Sequence, residues 1–66
     1  MKQRLVILGA GESGVGAAVL GKQKKYDVFV SDNGIINSKY KDVLVNEDVI
    51  FEENQHSLEM IMNADV

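Results

Sequence analysis

A chain of 66 residues holds at most one small domain, and with no cysteine and a single histidine it has neither a disulfide framework nor a zinc site to stabilise it. Hydrophobic residues make up 45%, which marks a folding chain rather than a disordered one, and no apolar run approaches the ~20 residues that span a bilayer. Ten acidic residues against seven basic ones give a net charge of −3, which disfavours nucleic acid as a partner because phosphate backbones need a basic face.

The first apolar run, Leu5-Val6-Ile7-Leu8, is continuous and ends at a glycine, the pattern of a strand buried on both faces. Lys2 and Arg4 precede it, but the run is too short for a signal-peptide core, so the start reads as a cytoplasmic strand. From Ser13 to about Lys24, Val15, Ala18 and Val19 fall at helical spacing, with alanines that permit close approach to a sheet. Lys22, Lys24 and Lys25 gather where the helix ends and its dipole favours positive charge. Helices in this position commonly end on a glycine in the left-handed region. Lys25 holds that place here, so positive φ is expected at Lys25, or within 23–26 at the widest.

Val28-Phe29-Val30 predicts a second buried strand, closing on the turn formers Ser31-Asp32-Asn33-Gly34. Asn37 or Ser38 caps a helix running to about Val45, with Tyr40, Val43 and Leu44 on one side. Val49-Ile50-Phe51 is the third strand. Ser57 caps a short helix from Leu58 to Met62 with Glu59 in its first turn, and Met60, Ile61 and Met62 are expected to fill core. Ala64-Asp65-Val66 reads as the opening of a fourth strand.

Strands joined by helices of this length imply right-handed crossovers and a parallel sheet. The expected architecture is an α/β, Rossmann-like sheet of order 3-2-1-4, its fourth strand truncated, flanked by helices over a single partial domain, 1–66. In that order the first strand pairs only briefly with the fourth. The exposed edge of Leu5 to Leu8 would then favour self-association with a second copy or cover by further segments.

The turn after the first strand carries the chemistry. Gly9-Ala10-Gly11-Glu12-Ser13-Gly14 spells G-x-G-x-x-G between a strand and a helix. Gly9 allows the tight turn, Gly11 lets backbone approach a pyrophosphate, and Gly14 lets the helix pack on the strand. The helix's first amides lack intrahelical partners and form an anion site. Asp32 stands 18 residues beyond Gly14 at the end of the second strand, where an acid reads a ribose or a base. Ser13 either adds a hydroxyl donor to a phosphate or caps the helix. Glu12 is expected to point outward, clear of a bound phosphate.

The stretch from Val6 to Gly14, the strand Val28-Phe29-Val30-Ser31-Asp32 and the segment Phe51-Glu52-Glu53-Asn54-Gln55-His56 together resemble the N-terminus of the Mur ligase family of peptidoglycan synthesis, in its D-glutamate-adding branch. The resemblance implies a domain that holds the UDP end of UDP-N-acetylmuramoyl-L-alanine. Ser13 would contact the pyrophosphate and Asp32 the uracil, within a site of Gly9, Gly11, Glu12, Ser13, Gly14, Asp32 and Asn33. Members often follow the acid with Thr-Arg, where Asn33-Gly34 stand here. The family makes its acyl phosphate from ATP with magnesium (Mg2+) in a separate central domain, so neither catalytic nor metal-binding residues are expected in 1–66. The implied setting is cytoplasmic cell-wall biogenesis, hence cell shape and division, with D-glutamate and ATP met by other domains.

His56 is expected to be a solvent-facing loop residue, and Glu52 and Glu53, adjacent on a strand, to face opposite ways. Two rival functions remain at this stage. One is an NAD(P)-binding module of an oxidoreductase, with Asp32 gripping the ribose hydroxyls; the other is a nucleotide-sensing regulatory domain.

Overall fold

The computed structural model describes residues 3–62 and 64–66. Strand β1 (Arg4–Leu8) leads through the glycine turn to helix α1 (Glu12–Gln23) and strand β2 (Asp27–Ser31). Helix α2 (Ser38–Asn46), strand β3 (Ile50–Glu52) and the short helix α3 (Leu58–Met62) follow. Area scaling predicts about 4,200 Å² of folded surface for this chain length. The accessible surface is 4473 Å², so the chain reaches the compaction of an ordinary small domain.

The sheet is parallel and three-stranded, in the order β1-β2-β3. Leu5 pairs with Val28 and Ile7 with Val30, and Val30 in turn pairs with Phe51. Alternation along the strands sends these residues to one face, where Val15, Ala18, Ile36, Leu44 and Val49 complete the core. Helices α1 and α2 pack together on that face. On the other face Phe29 is buried with the Arg4 guanidinium over its ring at 5.5 Å. Ile50 there is 65% exposed, and Leu8 at the end of β1 is 63% exposed.

The expected order 3-2-1-4 is therefore corrected: three strands are formed, and Ala64–Val66 does not become a fourth among the described residues. Those residues nonetheless lie along β1. The amides of Asp65 and Val66 donate to the Arg4 carbonyl at 2.9 and 3.0 Å, and the Val6 amide donates to Val66 at 2.9 Å. The edge expected to be unpaired is thus occupied at Arg4 and Val6. Three residues with one register contact are too few for a regular ladder.

Both long helices stop in the same way. Lys25 has φ +67, with its amide donating to Lys22 and that of Tyr26 to Gly21. Asp48 has φ +58, with its amide donating to Val45 and that of Val49 to Leu44. Each is a Schellman motif with a non-glycine residue in the left-handed position. The expectation at Lys25 is met; the second site, Asp48, was not foreseen. Asn37 caps α2 by accepting from the Lys39 amide at 2.9 Å. Helix α3 buries none of its residues and Met62 is 80% exposed, so the core role expected of Met62 is also corrected. A helix of five residues on an open face cannot turn a whole side inward. Among the described residues no helix is long and apolar enough to cross a membrane.

Candidate functional site

The turn between β1 and α1 is built around backbone. Gly9 takes φ +98, a conformation costly for any residue with a Cβ, and its amide donates to the Ser31 carbonyl at 2.7 Å. A Cβ on Gly14 would lie 1.9 Å from the Gly9 carbonyl oxygen, so only hydrogen fits where α1 presses on the turn. A Cβ on Gly11 would meet nothing within 4 Å. Gly11 thus borders open space, and a ligand can approach its backbone there.

Gly11 is the N-cap of α1 and offers no side-chain cap. The first helical bond runs from the Val15 amide to the Gly11 carbonyl at 2.9 Å. The amides of Glu12, Ser13 and Gly14 come before it, at the positive end of a twelve-residue helix. Ser13 sits one position inside the helix and is exposed, so of its two expected roles the cap is ruled out. Glu12 is exposed, as expected.

Asp32 ties two loops together. Its Oδ2 accepts from the Ala10 amide at 2.8 Å, and its Oδ1 accepts from the Gly34 amide at 2.8 Å. These two amides, Ala10 foremost, hold the carboxyl below the usual carboxylate range. Each oxygen retains acceptor capacity for a ligand. Asn33 is exposed beside it.

A second polar cluster, which the sequence reading missed, lies at the ends of β2 and β3. Ser31 is fully buried, and its Oγ lies 2.7 Å from Glu52 Oε2, 2.6 Å from His56 Nδ1 and 3.2 Å from the Gln55 carbonyl. Glu52 Oε2 also accepts from the Ser57 amide at 2.6 Å, the main reason its carboxyl is held low. Glu53 turns the other way, as expected, to the Lys41 ammonium at 2.5 Å and the Ile36 amide at 3.0 Å, Lys41 lowering its carboxyl most. His56 is exposed in the loop before α3, as expected, and one ring nitrogen is anchored to the Ser31 hydroxyl. A polar residue ending the apolar run of β2 was the available signal.

Backbone bonds join the turns around Asp32 and His56. The Asn54 amide donates to the Gly34 carbonyl at 2.7 Å and the Gln55 amide to the Asp32 carbonyl at 3.2 Å. Among the described residues no group of His, Cys, Asp or Glu is arranged to hold a metal ion. Gly16 to Gln23 spells most of an ATP-type phosphate loop, G-x-x-x-x-G-K, but it lies within α1, where its amides serve the helix.

Strand, glycine turn, helix and a strand-end acid bonded back to the turn are the arrangement of a Rossmann-like α/β fold with a parallel sheet. Residues 4–66 match the family model described as MurD N-terminal domain, and the chain belongs to that family. It is 56% identical over 63 residues to the UDP-N-acetylmuramoylalanine–D-glutamate ligase of Bacteroides thetaiotaomicron, covering 96% of this chain and 14% of the relative. The ligase of the same name from Christiangramia forsetii is 48% identical over 66 residues, covering all of this chain and 15% of the relative. That from Cytophaga hutchinsonii is 50% identical over 64 residues, 97% of this chain and 14% of the relative. The chain therefore spans about one-seventh of the length of these relatives. No solved structure matches it.

Proposed function

We propose that this chain is the UDP-binding part of an ATP-dependent, ADP-forming ligase that joins D-glutamate to UDP-N-acetylmuramoyl-L-alanine in cytoplasmic peptidoglycan synthesis. The supporting observation is the division of labour around the glycine turn. Free amides at the start of α1 and the exposed Ser13 hydroxyl suit a diphosphate. The Asp32 carboxylate, anchored on two backbone amides, suits the hydrogen-bond donors of a nucleoside. Glu12 and Asn33 are exposed at the same end of the sheet, Gly11 leaves backbone open to approach, and Gly9 and Gly14 shape the turn that presents it. On this reading ATP and Mg2+ are handled by residues outside 1–66, and the role of this chain is to bind and orient the nucleotide end of the substrate.

Calorimetric titration with UDP and with NAD tests the reading. UDP is expected to bind, with Asp32→Ala weakening it more than Ser13→Ala, each by at most about 1.5–3 kcal/mol for a bond involving a charged partner. Binding of NAD with UDP excluded would overturn it in favour of a dinucleotide module.

A further inference from the structure

The Ser31 hydroxyl has one hydrogen and three polar neighbours. The Gln55 carbonyl and the Glu52 carboxylate can only accept. Glu52 Oε2, at 2.7 Å, is the charged acceptor and takes that hydrogen. His56 Nδ1, 2.6 Å away, must then be the donor to the Ser31 oxygen. A neutral histidine with its hydrogen on Nδ1 carries a lone pair on Nε2.

Because Ser31 is buried and His56 exposed, the Nδ1 edge of the ring faces inward and the Nε2 edge outward. It emerges at the carboxyl end of the sheet, where open α/β sheets bind ligands. The residue before it, Gln55, is bonded to the Asp32 backbone. This side of the site therefore presents acceptors, Asp32 and His56 Nε2, while the glycine turn presents amide donors. A diphosphate belongs with the donors. A nucleoside, with ribose hydroxyls and a base imide N–H, belongs with the acceptors.

We propose that His56 is a specificity residue of the nucleotide site, its Nε2 accepting a hydrogen bond from the nucleoside while Ser31 and Glu52 hold the tautomer that makes this possible. The proposal rests on the nucleoside-diphosphate reading above. Two variants separate contact from scaffold. Asn at position 56 keeps a polar group where Nδ1 sits and removes Nε2; Gln does the reverse.

Titrating UDP, uridine and pyrophosphate into each variant, alongside thermal unfolding, provides the test. His56→Asn is expected to lose about three- to tenfold in affinity for UDP and uridine, the worth of one neutral hydrogen bond. Its affinity for pyrophosphate and its unfolding midpoint should stay near those of the parent chain. His56→Gln should retain most of the UDP affinity at a lower midpoint. Unchanged UDP binding by His56→Asn, or affinities that simply follow the midpoints, would overturn the proposal. A parent chain that binds neither UDP nor uridine overturns the nucleotide reading itself, and the role of His56 falls with it.

Discussion

Two turns meet at the carboxyl end of the sheet, and they are held by different means. The β1–α1 turn contributes no side-chain bond of its own; it is shaped by glycine φ, by the contact at Gly14 and by one carboxylate reaching in from Asp32. The β3–α3 turn is held by side chains from three elements: Ser31 from β2, Glu52 from β3 and Lys41 from α2, the last through Glu53. Geometry dominates the first and charge the second. The first should thus be sensitive to volume and respond to pH only where the Asp32 carboxylate holds the Ala10 amide, whereas the second should respond to pH through Glu52 and Glu53 and tolerate volume better.

The largest break in that contrast is Gly14→Ala. Its methyl would sit on the Gly9 carbonyl, and both partners are backbone, so neither yields easily. A cost of about 3 kcal/mol is expected, a large share of the ~3–10 kcal/mol that a domain of this size holds. Denaturant unfolding monitored by circular dichroism measures it. A midpoint equal to that of the parent would mean the turn is not volume-limited.

Acid sharpens the contrast from the other side. Asp32, Glu52 and Glu53 are all held below their ordinary values, so their stabilising contribution is complete above those values and is lost as pH falls through the lower folded ones. Below about pH 4, the amides of Ser57, Ile36, Gly34 and Ala10 should lose hydrogen-exchange protection first. Those of Val15 and Tyr26, whose acceptors are carbonyls, should keep theirs longer. Simultaneous loss at all six would show that amides held by carboxylates and amides held by carbonyls do not differ in this respect.

The smallest effect concerns the helix ends. Lys25→Gly relieves a left-handed φ and should stabilise by a few tenths to 1 kcal/mol. Asp48→Gly should gain less, because aspartate tolerates that region better than lysine. Thermal midpoints of the two variants rank them, and the reverse order would refute the argument.

What could be read from the residues divides along the same line. The glycine turn was legible because its cause is local: G-x-G-x-x-G after an apolar run states where Cβ atoms are excluded. Lys25 was legible for the same reason, as the residue standing where the chain must reverse. Ser31, Glu52 and His56 were not, since they meet only after β2 and β3 are aligned. Asp48 was missed because its turn follows a helix with no lysine cluster to mark the end. The second-face exposure of Ile50 and Met62 was also illegible, since an apolar residue does not itself reveal which face is covered.

The pair of backbone bonds between residues 32–34 and 54–55 has a mechanical consequence. Two crosslinks close together resist shear between the turns, while a hinge would need only one. A tilt of the Asp32–Gly34 turn must therefore carry Asn54 and Gln55 with it, and with them the imidazole that follows. The two ends of the sheet's middle strand and its neighbour would respond to a load as a single plate, so force applied to either turn is felt at both.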